Sequence, residues 1–92
     1  MIDVSHDNSG KDYRRQPSVS AEVAGEVAGG SAAVVGVMLE SFLVAGRQEL
    51  RSAGELTYGQ SITDACIDWD TTVEVLEGLA AAARARRDVR AE

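Results

Sequence analysis

One apolar run limits what this chain can fold into more than any other segment. Residues 32–39 read Ala-Ala-Val-Val-Gly-Val-Met-Leu, without a polar interruption. A short continuous apolar run is the pattern of a strand buried on both faces, and such strands belong to parallel sheets that are covered by helices. Gly36 within the run indicates that a neighbouring chain segment passes close by. The run therefore predicts an α/β fold built on a parallel sheet.

A strand and a helix are predicted before this run. Residues 1–5 predict a short buried strand, and it ends at the polar loop 6–10. Ser18 is expected to begin a helix that Gly29-Gly30 ends. The valines of this helix recur every four residues on one face: Val19, Val23 and Val27.

A long loop and a second helix are predicted after the run. Residues 40–63 show little periodicity and contain three glycines, so we expect a loop, and loops of this length inside compact domains are usually functional. From Asp70 or Thr71 a last helix is predicted to reach about Arg90, with acidic residues in its early turns.

The predicted order is strand, helix, strand, loop, helix, which is a βαβα unit with two parallel neighbouring strands. Its 92 residues correspond to one small domain. Reactive groups in such units sit at the carboxyl ends of the strands. His6 and Glu40 both follow a predicted strand directly, so we expect them on the same rim of the sheet.

Charge and cysteine content exclude several classes of protein. The net charge is −6, which argues against a surface for nucleic acid or for an anionic membrane. No apolar run approaches the roughly 20 residues that a membrane-spanning helix needs. The single Cys66 cannot form an internal disulfide and is typical of a reducing compartment. We therefore expect a cytoplasmic protein that binds neither nucleic acid nor membrane.

Three side chains could bind a metal ion. Asp64 follows a small, hydroxyl-rich turn, and with His6 and Glu40 it supplies one imidazole and two carboxylates. This set suits a divalent ion such as Mn, Fe, Co or Zn, and an open coordination position would allow catalysis. The spacing of the three residues alone leaves another interpretation open, in which the histidine bonds a loop carbonyl and both acids are solvated.

Three motifs in order along the chain, in residues 3–17, 36–46 and 58–69, resemble those of the type I DAHP synthases. Residues 3–17 resemble the region of their seventh barrel strand. Gly36-Val37-Met38-Leu39-Glu40-Ser41, followed by Leu43-Val44 and Gly46, is similar to the end of their eighth strand. Tyr58-Gly59, residues 61–67 and Trp69 resemble their C-terminal signature, and Ala85-Arg86-Arg87 resembles their closing residues.

The resemblance implies a function. The family condenses phosphoenolpyruvate with erythrose 4-phosphate, the first step of the shikimate pathway to aromatic amino acids, on a (β/α)₈ barrel with an essential divalent metal. By resemblance His6, Glu40 and Asp64 match three of the four metal ligands, and His6 and Asp64 are the implied catalytic residues. The fourth ligand of the family is a cysteine near the first strand, and Cys66 does not match it.

A barrel of this type needs around 250 residues, so 92 residues correspond to its last two βα units. We therefore expect residues 1–92 to form a single partial domain that is incomplete and inactive by itself. Its expected partners are the two substrates and either the N-terminal part of the barrel or further copies of the chain. Two alternatives stay open: a separate metal-binding or regulatory module, and an inactive remnant of the enzyme.

Overall fold

The computed structural model describes residues 1–10, 12–50 and 53–91. Their strands and helices follow one another in this order: β1 (Ile2–Asp3), α1 (Gln16–Ala28), β2 (Val37–Met38), β3 (Val44–Arg47), β4 (Gln60–Ser61) and α2 (Trp69–Ala91). Single 3₁₀ turns lie at His6–Ser9, Tyr13–Arg15 and Ala53–Glu55. The described residues thus form a small α/β unit, as the sequence predicts, but with two short sheets instead of one.

The first sheet pairs β1 with β2 in parallel. Ile2 lies opposite Val37, and Asp3 lies opposite Met38. The Val4 amide extends the ladder by donating to the Met38 carbonyl over 2.8 Å. The predicted parallel pairing of the first two strands is therefore confirmed, with α1 as the connection between them.

The second sheet lies inside the region predicted to be a loop. β3 pairs with β4 in parallel, with an irregular register between its two partner positions. The amide of Val44 donates to the Gly59 carbonyl over 2.9 Å, and the amide of Gln48 donates to the Ser61 carbonyl over 2.8 Å. The prediction of an unstructured loop over residues 40–63 is wrong for these strands, because their ladder depends on partners more than ten residues away.

The apolar run forms a shorter strand than predicted. Within residues 32–39, Val37 and Met38 have strand geometry, and the Gly36 carbonyl accepts from the Ile2 amide over 2.9 Å. Val34 is buried in the core, but 81% of Val35 is exposed. The predicted burial on both faces is therefore wrong for Val35, because a two-stranded sheet leaves both of its edges and part of its surface without a neighbouring strand.

Both helices begin slightly earlier than predicted. α1 begins at Gln16 instead of Ser18, with Pro17 in its first turn, where the fixed φ of proline suits a helix. α2 begins at Trp69, and the Asp68 carboxylate accepts a 2.8 Å hydrogen bond from the Thr71 amide. This bond satisfies one of the amides that the first turn of a helix leaves without a partner.

The core lies between the two helices and the first sheet. Its buried members are small: Val4, Val23, Val27, Val34 and Ala82. Arg86 of α2 adds polar contacts, because its guanidinium donates to the carbonyls of Val34 at 2.7 Å and Ser31 at 3.2 Å. These bonds fix α2 against the segment that leads into β2. No helix of the described residues is both long and apolar enough to cross a membrane.

A glycine makes the turn into β4 possible. Gly59 has a φ of +82°, in the left-handed region that residues with a Cβ rarely adopt. A Cβ at this position would also lie 3.0 Å from the Cβ of Leu43. The close approach of this turn to the residue before β3 therefore requires glycine.

Candidate metal centre

His6 lies three residues after the end of β1, at the start of the 3₁₀ turn His6–Ser9. Its φ is +45°, a conformation that costs a residue with a side chain on the order of 1–3 kcal/mol. Ser9 stabilises this turn: its hydroxyl donates to the His6 carbonyl over 3.0 Å, and its amide donates to the Ser5 carbonyl over 3.4 Å. The strained turn holds the imidazole at the carboxyl end of β1.

Glu40 lies two residues after β2, and a buried glutamine from α1 holds its backbone. Gln16 is 1% exposed. Its side-chain amide donates to the Glu40 carbonyl over 3.1 Å, and its side-chain oxygen accepts from the Glu40 amide over 2.8 Å. This pair of bonds resembles the exchange between neighbouring strands, and it fixes the position of Glu40 on the same rim as His6.

Asp64 reaches the rim because the segment after β4 folds back. The Cys66 amide donates to the Gly46 carbonyl over 3.1 Å, and the Ile67 amide donates to the Glu40 carbonyl over 3.0 Å. These isolated bridges continue the sheets beyond their regular strands. The turn that carries Asp64 therefore lies beside Glu40.

The structure brings the three predicted ligand residues together. One ligand atom from each of His6, Glu40 and Asp64 lies within 4.8 Å of the others. His6 Nε2 is 2.7 Å from Glu40 Oε1 and 3.5 Å from Asp64 Oδ2. The Glu40 side chain is 19% exposed, whereas that of Asp64 is 72% exposed. The cluster therefore has a shielded side and an open side.

The cluster carries more negative than positive charge. A hydrogen bond to Asp3 and the charge of Glu40 raise the pKa of His6. Burial raises the pKa of Glu40, the His6 charge lowers it, and the charge of Asp64 raises it again. One imidazole is thus surrounded by three carboxylates, an arrangement that a cation would stabilise.

The donor atoms fit a divalent metal ion. His6 Nδ1 lies 2.8 Å from Asp3 Oδ2, so the other ring nitrogen faces Glu40 and Asp64. One imidazole nitrogen with carboxylate oxygens suits borderline and hard divalent ions. A carboxylate behind a metal-binding histidine is also the usual arrangement in metal sites. The residues present therefore match the metal that the resemblance implies.

A cavity of about 330 Å³ opens on this cluster. Eight of the nine residues that line it have polar side chains, and the ninth is the small Ala65: Ser5, His6, Ser9, Tyr13, Gln16, Glu40, Arg47, Asp64 and Ala65. Asp3 and Gln16 were not among the residues singled out from the sequence. Asp3 precedes the histidine by three positions at the end of a strand, and that spacing is the signal by which it could have been found.

The comparison with protein families decides what kind of chain this is. The model of the DAHP synthetase I family matches residues 1–77. The chain belongs to this family. The match includes all three members of the His6, Glu40 and Asp64 cluster.

Individual members of the DAHP synthetase I family agree with this assignment. A phospho-2-dehydro-3-deoxyheptonate aldolase of Corynebacterium glutamicum is 57% identical over 94 residues, covering 95% of this chain and 26% of the relative. The Phe-sensitive enzyme of that name from Escherichia coli K12 is 53% identical, covering 95% of this chain and 25% of the relative. The solved structure of the aldolase from Francisella tularensis SCHU S4 superposes with a TM-score of 0.86 at 46% identity, over 92% of this chain and 25% of that one. The chain therefore spans about a quarter of the length of these relatives.

Proposed function

We propose that this chain supplies the metal-binding rim of a phospho-2-dehydro-3-deoxyheptonate aldolase. The reaction is the condensation of phosphoenolpyruvate with erythrose 4-phosphate, the first step toward aromatic amino acids. The observation that carries the proposal is the convergence of His6, Glu40 and Asp64 within 4.8 Å in a chain of this family. A divalent ion, Mn, Fe, Co or Zn, is the cofactor that these donors fit.

Each residue of the cluster has a distinct part in this proposal. His6 presents Nε2 to the ion, and Glu40 holds the shielded side with a carboxylate that is 2.7 Å from that nitrogen. Asp64 holds the open side, so His6 and Asp64 are the two residues proposed to border the reacting substrate. The chemistry supplied by a cation held here is Lewis-acid polarisation of the aldehyde oxygen of the tetrose phosphate.

We further propose that residues 1–92 form a partial domain, the last two βα units of a (β/α)₈ barrel. The parallel β1–β2 pair supports this architecture, because its two open edges and the exposed Val35 are where further strands would add. The remaining strands, from the rest of a barrel or from further copies, are the expected macromolecular partner. The proposed location is the cytoplasm, in keeping with a lone thiol at Cys66.

A separate metal-binding module is the second candidate function. It is favoured by one observation: the whole His6, Glu40 and Asp64 cluster is assembled within the described residues of this chain. On this alternative the chain binds a metal ion tightly and has no part in condensing the two substrates.

The first experiment tests the chain as it is. Manganese or cobalt titrated calorimetrically should bind with a stoichiometry of one, and Glu40→Gln should weaken binding strongly. The matched control is Glu22→Gln, which removes the same charge from an exposed position of α1. Phosphoenolpyruvate and erythrose 4-phosphate together should release no phosphate with the isolated chain.

The second experiment separates the enzyme from the module. In a chimera, the 92 residues of this chain replace the matching quarter of the Corynebacterium glutamicum relative, and the rest of that relative is kept. We expect this chimera to release phosphate only when both substrates and a divalent metal are present, and to lose that activity with Glu40→Gln but not with Glu22→Gln. A folded, metal-binding chimera without activity would support the module instead, and phosphate release by the isolated chain would show that no further strands are needed.

A further inference from the structure

One carboxylate outside the proposed ligand set contacts the ligand ring directly. Asp3 Oδ2 lies 2.8 Å from His6 Nδ1, on the side of the imidazole opposite Glu40. The other oxygen, Asp3 Oδ1, accepts a hydrogen bond of 2.8 Å from the Ser5 amide and a second bond from the Ser5 hydroxyl. The two oxygens of Asp3 therefore have different partners.

The Ser5 contacts fix which way the Asp3 carboxylate faces. Ser5 is 2% exposed, and its hydroxyl also lies 3.0 Å from His6 Nδ1 and 3.7 Å from the Met38 sulfur. Asp3 itself lies in β1, paired with Met38 of β2. The buried Ser5 and the pairing of β1 therefore fix the orientation of the Asp3 carboxylate.

An ionised carboxylate can only accept hydrogen bonds, whereas a neutral imidazole has one donor and one acceptor nitrogen. Without a metal ion both ring nitrogens of His6 face a carboxylate, because Nε2 lies 2.7 Å from Glu40. A cation beside Glu40 would displace a proton from Nε2, and Asp3 then selects the form of His6 with its proton on Nδ1. In that form the lone pair of Nε2 points toward Glu40 and Asp64, where the metal ion belongs. The left-handed φ of His6, +45°, is the backbone cost of presenting the ring in this orientation.

We propose that Asp3 is the positioning residue of this metal centre: it holds the His6 ring by Nδ1 and keeps Nε2 free of a proton for the metal ion. The inference rests on the proposed metal site, and it adds a residue that touches neither the ion nor the substrate. Asp3 acts on the ion through His6.

The substitution Asp3→Asn tests the proposal because it keeps size and shape. Ser5 presents two donors to the inner oxygen of residue 3. The asparagine carbonyl oxygen must therefore stay toward Ser5, and its NH₂ group must face His6 Nδ1. An NH₂ group donates, so Nδ1 can bond to it only as an acceptor, and we expect the ring proton to move to Nε2. Carboxylates of Glu40 and Asp64 accept it there, and the nitrogen meant for the metal is blocked.

His6 is the only histidine of the 92 residues, so its imidazole signals can be identified without a resonance assignment of the chain. Long-range ¹H–¹⁵N correlation spectra of the labelled chain, recorded above the titration of the ring, report which nitrogen carries the proton. With zinc we expect Nε2 bound to metal and Nδ1 protonated in the natural sequence. For Asp3→Asn without metal we expect the proton on Nε2, and zinc binding about 10- to 100-fold weaker.

Asp88→Asn is the control, because it removes the same charge from an exposed position on α2; its zinc affinity should equal that of the natural chain. Zinc on Nδ1 in the natural sequence would overturn the proposal without any variant, and so would Asp3→Asn binding zinc as tightly as the control. If zinc leaves the ring signals of the natural sequence unchanged, the metal site is refuted. A proton shift to Nε2 in Asp3→Asn would then still support the orientation of His6 by Asp3.

Discussion

Replacing Gln16 with alanine should damage the candidate site from a position outside it. Gln16 is 1% exposed and exchanges two hydrogen bonds with the backbone of Glu40. In the variant the Glu40 amide loses its partner, and a buried donor left unsatisfied costs about 1–3 kcal/mol. The Glu40 carbonyl keeps its bond from the Ile67 amide, so its loss is that of one ordinary hydrogen bond, about 0.5–1.5 kcal/mol.

We therefore expect Gln16→Ala to lower the free energy of unfolding by about 2–4 kcal/mol, a large share of the total for a small domain. Urea denaturation followed by circular dichroism measures this difference. Metal affinity should fall as well, because Glu40 is no longer fixed on the rim. Hydrogen exchange of the Glu40 amide gives a local measurement, and it should become much faster in the variant.

Gln48 provides a matched control for Gln16. Its side-chain amide donates to the carbonyls of Thr57 and Gln60, and its oxygen accepts from the Thr57 amide over 2.9 Å. It thus makes the same kind of backbone contact in a more solvated place, away from the metal cluster. Gln48→Ala should cost less stability and leave metal affinity unchanged. Equal costs for the two variants, with unaltered exchange at Glu40, would refute the reasoning.

Three further outcomes follow from the structure. Gly59→Ala should lower the free energy of unfolding by at least about 1–2 kcal/mol in urea denaturation, because a left-handed φ of +82° disfavours any Cβ. The hydrogen bond to Asp3 raises the pKa of His6, so the metal-free chain should lose stability as the pH rises above 6.5 and through that pKa. Metal affinity should increase over the same pH range, because a proton on the ring competes with the ion. Hydrogen bonds from Thr71 lower the pKa of Asp68, so the first turn of α2 should fray as the pH falls below 3.8 and through that pKa. Far-ultraviolet circular dichroism measures the loss of helix.

Each of these outcomes has a matched control. Gly78→Ala lies in the exposed interior of α2 with nothing near its added Cβ, so it should stabilise the chain by about 0.5–1 kcal/mol. His6→Ala should remove the stability change above pH 6.5. Asp68→Asn should flatten the acid-induced change in the dichroism signal. A Gly59→Ala chain as stable as the natural one, or acid and base responses that survive these substitutions, would contradict the corresponding argument.

The order β1, α1, β2, α2 could be predicted because each of these four elements carries its own local pattern. The valine spacing of α1 and the continuous apolar run before Glu40 are visible without a partner. β3 and β4 are not, since a strand such as Gln60–Ser61 is two polar residues long and exists through its hydrogen bonds to a distant segment. The burial of Val35 was overestimated for a related reason: burial depends on how many strands are present to cover a residue.

The ligand residues and the residues that hold them differ in how well the sequence reveals them. His6, Glu40 and Asp64 stand out through a resemblance in three separate motifs, whereas their spacing alone leaves a solvated reading open. Gln16 is the first residue of α1 and directly follows a stretch of charged residues, and its sequence neighbours carry no sign that it reaches Glu40. Contacts between an early helix and a later strand end depend on tertiary packing, and a side-chain amide has no periodicity to reveal it.

The parallel pairings have a consequence for how the chain reaches its folded state. Ile2 must find Val37, and Ser41 must find Ile67, before the three ligand side chains can meet. Pairings between distant segments lose chain entropy before they gain contacts, which makes them slow steps in folding. The metal centre should therefore form late, after the helices. At the start of refolding the carboxylates are dispersed, so an added cation has no assembled site to bind. A cation added at the end of refolding binds the assembled site.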